Sequence, residues 1–171
     1  MVAASIDVET REWLDRLEIQ DLIHRYSDGV TRADWRQCEA VFTPDAIWES
    51  PTMGLRCENR ASFMEILRAT SSYDLLIQTA HSPVITLIDA DRARSTTTIH
   101  EFIRGTALAS NNFAEAGAET NLEQYGIYYD DLARVDGRWK FTHRLFQSIY
   151  VGRGCVTGDL LTHRSALLRR D

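Results

Sequence analysis

Hydrophobic residues recur every three or four positions through the first part of the chain, which is the spacing of one helix face. The pattern predicts a long first helix with Thr10 as its N-cap, and a short second helix that is capped by Asp34 and ends before Pro44. A third helix is predicted over residues 60–70. The hydrophobic face of the first helix consists of Ile19, Leu22, Ile23, Tyr26, Val30 and Ala33.

The pattern changes after Ser72, where β-branched runs and alternating positions replace the helical spacing. Residues 95–99 disfavour a helix because their branched side chains lose rotamer freedom in one. Residues 123–135 and 139–151 are two predicted strands, and the Asp136-Gly137 pair between them is typical of a tight hairpin turn. The small and polar residues 109–119 predict a loop.

The C-terminal tail, residues 158–171, is predicted to form a short helix with its leucines inward. These are Leu160, Leu161, Leu167 and Leu168.

Helices followed by long strands indicate an α+β fold, in which a cone-shaped curved antiparallel sheet is covered by N-terminal helices. Such a sheet encloses an apolar cavity of the kind that binds small molecules.

The composition of the 171-residue chain suits a single globular domain, since 44% of its residues are hydrophobic and 26% are charged. We expect one domain over residues 1–171, with a core over about residues 10–151 and a C-terminal extension over residues 152–171. The net charge of −6 disfavours nucleic acid as a partner, because its binding requires lysine and arginine to neutralise phosphates.

Three features of the sequence bear on its location. Residues 1–12 lack the apolar run of a signal peptide, and no stretch approaches the ~20 apolar residues that span a membrane. Cys38, Cys57 and Cys155 lack the paired spacing of a disulfide framework or a zinc site. We therefore expect a cytoplasmic protein with reduced thiols and no membrane contact.

Several short strings resemble those of SnoaL-like domains. Residues 19–26 (IQDLIHRY), 33–35 (ADW) and 41–46 (VFTPDA) are similar to the opening of that family, in the same order and spacing. Residues 126–141, followed by Arg144, are similar to the family's C-terminal hairpin. The resemblance implies the nuclear transport factor 2-like cone, with one long helix, two shorter helices and a strongly bent sheet around one pocket.

The same resemblance implies homodimers or homotrimers built on the outer sheet face. The activities it implies include scytalone and bile acid dehydratases, a dehydrochlorinase, ketosteroid isomerase, polyketide cyclases and limonene epoxide hydrolase. The superfamily also includes non-catalytic subunits, so the fold does not decide the function, which depends on the pocket residues.

His81 matches the position at which the dehydratase-like members of the family carry their catalytic base. A histidine can take a proton near neutral pH, as elimination or enolisation requires; the alternative is a strand histidine bonded to a backbone carbonyl. In those relatives an aspartate at the end of the first helix orients the histidine, but here Thr31 stands at that position. Asp28, one helical turn earlier, could replace it or could be a solvated acid.

Glu101 is the second acid to consider, in a string that resembles the bile acid dehydratase strand carrying a pocket aspartate. Because strand side chains alternate, His100 and Glu101 must point to opposite faces. The positions that share a face with Glu101 are the more apolar, so we expect Glu101 to face the cavity. The alternative is a surface salt bridge with Arg94 or Arg104.

Tyr26 is a further catalytic candidate, and the candidates for substrate binding are Thr31, Trp48, Arg144 and Phe146. Tyr26 lies on the hydrophobic face of the first helix, where its hydroxyl could stabilise an enolate or could belong to the core. Arg144 matches a pocket arginine of the family and could bind a leaving anion, or it could pair with Glu123 or Asp130 across the sheet. Trp48 and Phe146 are candidates for the pocket wall or for plain core.

These observations lead to the hypothesis of a cofactor-independent lyase or isomerase that acts on a small apolar cyclic, polyketide- or steroid-like substrate. His81 removes the proton, Tyr26 and Arg144 stabilise the oxyanion or leaving group, and Glu101 or Asp28 orients His81. No cofactor is expected, because the sequence has no phosphate-binding loop or dinucleotide motif. No metal is expected either, because its histidines lack ligand spacing.

Two alternatives remain open at this stage. One is a non-catalytic small-molecule-binding or partner-subunit domain of the same fold, which the threonine at position 31 favours. The other is an enzyme that activates water, as in epoxide hydrolysis. This chemistry needs two facing acids in the cavity, such as Asp28 paired with Glu49 or Glu101.

Overall fold

A computed structural model describes residues 7–108 and 110–167 of the chain. Within these ranges lie three α-helices, α1 (Val8–Arg32), α2 (Trp35–Ala40) and α3 (Arg60–Ala69). The strands in the same ranges are β1 (Phe42–Ser50), β2 (Leu55–Cys57), β3 (Tyr73–Ala80), β4 (Val84–Leu87), β5 (Arg92–Thr106), β6 (Glu119–Val135) and β7 (Arg138–Arg153).

The helices begin at side-chain caps, which satisfy backbone N–H groups that have no partner in the first turn. Asp34 accepts a hydrogen bond from the Gln37 N–H at 3.0 Å, as predicted for α2. The prediction of Thr10 as the cap of α1 is wrong, because Asp7 lies three residues upstream and accepts the Thr10 N–H at 2.8 Å. Thr10 instead donates its hydroxyl to the same carboxylate.

The strands form one curved sheet in the order β2-β1-β7-β6-β5-β3, with β4 also paired to β5. The Asp136-Gly137 turn joins β6 to β7, with φ of 51° and 75° at its two residues, so the predicted hairpin is confirmed. The sheet is mixed rather than wholly antiparallel, because β1 runs parallel to β7. These two strands are far apart in the chain, and no hairpin constrains their relative direction.

The helices pack on the concave face of this sheet, where α1 contacts β3 and α3 contacts β1. Five of the six predicted face residues of α1 are buried, and Ala33 forms the left-handed end of the helix at φ 54°. Shifts of register between β6 and β7, at Tyr125/Gly126 and Asp131/Leu132, are the irregularities that bend long strands. The fold is therefore the predicted α+β cone.

The chain after β7 crosses the end of the cone as an irregular segment. Asn121 holds Val156 by two hydrogen bonds of 2.9 and 3.0 Å, and Arg164 donates to the backbone carbonyls of Val30 and Thr70. The predicted terminal helix is wrong for residues 158–167, which contain only a 3-10 turn at Arg164–Ala166. Leu161 is 93% exposed rather than inward, and residues 168–171 lie outside the described residues.

None of the helices in the described ranges is long and apolar enough to cross a membrane.

Gly126 allows the Phe146 ring to lie directly against β6, and this close approach yields a stability prediction. A Cβ at position 126 would overlap that ring and come within 2.9 Å of the Gln147 carbonyl. We expect Gly126→Ala to lower the free energy of unfolding by about 1–3 kcal/mol. The control is Gly158→Ala, whose Cβ would meet nothing within 4 Å. Equal stability of the two variants in urea unfolding would contradict the prediction.

Candidate functional site

A cavity of about 170 Å³ lies between the concave face of the sheet and the helices. Its walls are mostly apolar, and five polar side chains, which we call the polar cluster, are grouped within it. The polar cluster comprises Tyr26, Gln78, Glu101, Gln124 and Tyr128. The apolar walls include Trp48, Leu55, Ile66, Leu67, Ile103 and Phe146.

Three neighbouring strands bring the centre of the polar cluster together. Gln78 on β3 and Gln124 on β6 are both direct cross-strand partners of Glu101 on β5. Side chains at such positions point to the same face of the sheet. Glu101 is buried and lines the cavity, so its predicted inward orientation is confirmed.

The Glu101 carboxylate is held between two side-chain amides. Gln78 Nε2 donates to Oε1 at 2.6 Å, and Gln124 Nε2 donates to Oε2. Gln78 is itself fixed by the Ser27 hydroxyl at 3.0 Å, and Gln124 by the Ser148 hydroxyl at 3.3 Å. Each carboxylate oxygen thus accepts one amide N–H and retains a second lone pair for a ligand.

Burial raises the pKa of Glu101 above its usual value of 4.5, while the hydrogen bonds from Gln78 and Gln124 oppose the rise. Desolvation disfavours the charged form of a carboxyl group, and it is the dominant effect here. A carboxyl group with a raised pKa in an apolar cavity is suited to taking up and returning a proton.

The raised pKa of Glu101 makes the stability of the protein depend on pH. The folded chain binds this proton more tightly than the unfolded chain does, so the associated stability is fully present below about pH 4.5. It is lost as the pH rises through the folded-state pKa of Glu101. We therefore expect Glu101→Gln to gain stability relative to the natural protein as the pH rises through this window. Urea unfolding at a series of pH values measures the difference, and a difference that does not change with pH would contradict this assignment.

Two tyrosines complete the polar cluster next to Glu101. Tyr128 accepts a hydrogen bond from Gln78 Nε2 at 3.5 Å, and its ring meets that of Tyr26 edge to face with centroids 5.9 Å apart. Burial raises the pKa of both hydroxyl groups. Both residues therefore stay protonated at neutral pH and can donate hydrogen bonds to a ligand oxygen.

Arg144 is fully buried but lies outside the cavity lining, so the structure does not support direct contact with a substrate. Its Nε and Nη2 bind the two oxygens of Asp130 at 2.7 and 2.9 Å, which is one of the two cross-sheet pairings considered from the sequence. The guanidinium group packs against the rings of Tyr26 and Tyr128 instead of entering the cavity.

The predicted base, His81, is solvent-exposed and does not line the cavity. It follows the end of β3, where its backbone N–H donates to the Thr98 carbonyl at 2.9 Å. The residue of β3 whose side chain reaches the carboxylate is Gln78, three positions earlier. The expected placement of His81 in the pocket is therefore wrong, because side chains alternate along a strand and a residue three positions after the inward-facing Gln78 points outward.

Asp28, which was one of the two candidate partners of His81, lies outside the cavity lining, and so does Thr31. Asp28 is exposed and pairs with Arg32 at 2.7 Å, because residues two apart on a helix point to nearly opposite sides and Tyr26 faces inward. Thr31 accepts the Gln78 N–H at 3.0 Å and donates to the Gln78 carbonyl at 3.3 Å. Thr31 therefore joins α1 to β3 and contacts backbone rather than cavity.

The structure places Trp48 and Phe146 in the cavity wall, where Trp48 stacks on Phe63 with centroids 4.9 Å apart. Their contact with a substrate remains a prediction.

Sequence reasoning missed Gln78, Gln124 and Tyr128. Strand alternation could have placed Gln124 and Tyr128 on one face of β6, but only the pairing of strands shows that this face meets Glu101.

Among residues 7–108 and 110–167, no three histidine, cysteine, aspartate or glutamate side chains are grouped so that they could hold a metal ion.

Comparison with known proteins agrees with this architecture. A family profile described as the SnoaL-like domain matches residues 11–145. The chain belongs to the SnoaL-like family. Among curated proteins, none matches the chain.

Several solved structures have a fold similar to that of this chain. A candidate scytalone dehydratase from Novosphingobium aromaticivorans has a TM-score of 0.72 at 16% identity, with 87% of this chain and 93% of that chain covered. The hexachlorocyclohexane dehydrochlorinase LinA-type3 from Novosphingobium barchaimii has a TM-score of 0.72 at 15% identity, with 89% and 98% covered. Identities this low show a shared fold, and the activities remain those of the relatives.

Proposed function

We propose that this SnoaL-like protein is a cofactor-independent lyase or isomerase in which Glu101 is the general base. The observation that carries the proposal is the position of Glu101, which is the only charged side chain among the described residues of a mostly apolar cavity lining. Its raised pKa and its fixed orientation between two amides support a role in proton transfer.

The chemistry begins with transfer of a proton from a carbon next to a carbonyl group of the substrate to Glu101. The electron pair of the broken C–H bond moves onto the carbonyl oxygen, which accepts hydrogen bonds from Tyr26 and Tyr128. An isomerase returns the proton from Glu101 to another carbon of the resulting enolate. A lyase uses the same proton to release a β-hydroxyl group as water, as the enolate collapses to an unsaturated ketone.

The size and charge of the cavity support a compact, neutral substrate. An apolar cavity of about 150 Å³ is known to hold one benzene ring, and this cavity measures about 170 Å³. The charge of Glu101 disfavours an anionic substrate. Within the hypothesis of an apolar cyclic substrate, these properties favour a single ring over a steroid.

Glu101 takes the role that the sequence hypothesis gave to His81. The exposed His81 does not line the cavity, and Arg144 binds Asp130 through its Nε and Nη2 atoms and lies outside the cavity lining. Tyr26 retains its proposed role as a donor to the oxyanion. Activation of water by two facing acids loses support, because Glu49 binds His143 at 2.8 Å and lies outside the cavity lining, as does Asp28.

The second candidate function is binding of a small molecule without chemistry. The arrangement that favours it is the pair of hydrogen bonds by which Gln78 and Gln124 hold the Glu101 carboxylate, which would suit a static recognition site. A carboxylate that accepts two hydrogen bonds in the absence of ligand can also act as a general base. An experiment is therefore needed to distinguish the two functions.

Exchange of carbon-bound protons distinguishes these functions without knowledge of the natural substrate. One-ring ketones and β-hydroxy ketones are incubated with the protein in D₂O, and loss of the proton next to the carbonyl is followed by NMR. The proposal expects catalysed exchange or elimination for at least one of these compounds. Ligands that raise the melting temperature but show no exchange above the buffer rate would establish the binding function instead.

We also propose that copies of the chain pack through the convex face of the sheet as a homodimer or homotrimer. Tyr125 and Tyr129 point outward from β6, opposite the polar cluster, and Tyr150 lies beside Tyr125 on the same face. All three are exposed, and aromatic residues are enriched in protein interfaces. Light scattering tests this proposal, and a monomer at micromolar concentration would contradict it.

A further inference from the structure

The Arg144–Asp130 ion pair is the one buried charge pair beside the polar cluster in the described part of the chain. Both side chains have no exposed surface, and the pairing is bidentate, at 2.7 and 2.9 Å. Ser95 adds a hydrogen bond to Asp130 Oδ2 at 3.0 Å. The pair is thus rigidly held in a layer from which water is excluded.

Stability alone does not account for this arrangement. A buried ion pair loses the solvation of both charges, and its replacement by apolar residues of similar size is often neutral or stabilising. In addition, Arg144 Nη1 is buried and has no hydrogen-bond partner among the residues that the structure describes. An unpaired buried donor lowers the folding stability further. A contribution to stability therefore does not explain why the pair is present.

The position of the guanidinium group indicates what the pair could do. Its central carbon lies 4.5 Å from the ring centroid of Tyr26 and 4.1 Å from that of Tyr128. Both tyrosines line the cavity, whereas Arg144 does not. A cation in this position acts on the cavity through the two phenol rings, without touching what the cavity holds.

The charge state of Arg144 is compatible with such a role. Burial alone would lower its pKa, but the Asp130 carboxylate more than offsets that effect, so the guanidinium group stays charged. Burial raises the pKa of both tyrosines, and Arg144 opposes the rise in each of them. The guanidinium group therefore makes both hydroxyl groups better hydrogen-bond donors than burial alone would leave them.

We propose that the Arg144–Asp130 pair is a positioning element of the reaction, whose guanidinium group stabilises negative charge that develops on a substrate oxygen bound to the hydroxyls of Tyr26 and Tyr128. This inference rests on the proposed function, because it presupposes an oxyanion beside Glu101. The charge of Arg144 is fixed before the reaction by its contacts with Asp130. It therefore needs no reorganisation when the enolate forms, and the low local dielectric strengthens its effect.

Binding of phenols tests the proposal without turnover. Glu101→Gln serves as the background, because it imitates the neutral acid that is present after proton transfer, and a bound phenolate then imitates the enolate. 4-Nitrophenol reports its own ionisation by its visible absorbance, and toluene serves as an uncharged probe with a single ring. The test variant is Arg144→Met/Asp130→Leu, and the matched control is Arg94→Met/Asp131→Leu, an exposed pair joined at 3.0 Å.

We expect the test variant to bind the nitrophenolate about tenfold more weakly while its affinity for toluene stays unchanged, and we expect the control to change neither affinity. Asp130→Asn provides a second variant with the opposite expectation. It removes the neutralising carboxylate but keeps an oxygen for Arg144, so phenolate binding should become tighter. Damage to the fold cannot produce this gain.

Three outcomes would overturn the inference: equal loss of toluene and phenolate binding in the test variant, no loss of either, or weaker phenolate binding in Asp130→Asn. Each of these leaves the role of Glu101 untouched, because proton exchange is measured separately. Conversely, the expected weakening of phenolate binding could be observed while the natural protein catalyses no proton exchange. That result would reject the proposed function but keep the pocket as a site that stabilises an anion.

Discussion

Glu101→Gln should reduce the rate of proton exchange by about 10²–10⁴-fold, which is the usual contribution of a general base. The change removes the basic lone pair but keeps the shape of the side chain. The surrounding amides can adapt, because the serine hydroxyls that bind Gln78 and Gln124 accept as well as donate hydrogen bonds. Either glutamine can therefore turn its amide over and accept the new N–H.

The measurement is the rate of proton loss in D₂O for a ketone that the natural protein turns over, with the fold checked by circular dichroism. The matched control is Glu123→Gln, the same substitution on the opposite face of the sheet, where Glu123 binds His100 at 2.7 Å. We expect Glu123→Gln and His81→Ala to retain near-normal rates. A fully active Glu101→Gln variant would reject Glu101 as the base, and an inactive but folded His81→Ala variant would restore the histidine hypothesis.

Asp130→Ala should lower the free energy of unfolding by about 3–5 kcal/mol, the usual cost of leaving one charge of a buried pair without its partner. Asp130 accepts two hydrogen bonds from Arg144 and one from Ser95 in a fully buried layer. Its removal leaves the guanidinium group without a counter-charge behind the two tyrosines.

The neighbouring residue provides the control. Asp131 pairs with Arg94 at 3.0 Å, but both side chains are largely exposed, so Asp131→Ala should cost at most about 1 kcal/mol. Unfolding in urea or guanidinium chloride measures both variants. Equal losses at the two positions would show that Arg144 finds another partner or that solvent reaches the pair. Restoration of stability in Arg144→Met/Asp130→Leu would show that the loss comes from the uncompensated charge.

The polar cluster shows how a SnoaL-like pocket can be organised around a carboxyl group rather than a histidine. Gln78 on β3 contacts the carboxylate directly, and Thr31 serves to fix the backbone of Gln78. Thr31, at the position expected to carry an acid, and Gln78, three positions before the expected base, thus both support Glu101. This supporting role agrees with the change at position 31 that the sequence already shows.

Local sequence patterns were sufficient to predict much of the fold. The spacing of hydrophobic residues predicted α1, and the Asp136-Gly137 turn predicted the hairpin, because both depend on interactions between residues close in the chain. Of the two errors, the first has a local reason and the second a long-range one. The cap of α1 depends on which of two nearby oxygens reaches the free N–H groups, and the tail follows contacts with Asn121 rather than its own helical spacing.

Period-two alternation along β5 was enough to orient Glu101 inward, since each strand side chain faces opposite to its neighbour. The partners of Glu101 could not be predicted in the same way. Gln78 and Gln124 each lie 23 residues away in the chain, and their contact with Glu101 requires the register of two strand pairings. Arg144 likewise meets Asp130 rather than the cavity because β6 and β7 place them side by side. The amino-acid order thus decided which acid faces the pocket, whereas long-range pairing of strands decided what that acid and the arginine contact.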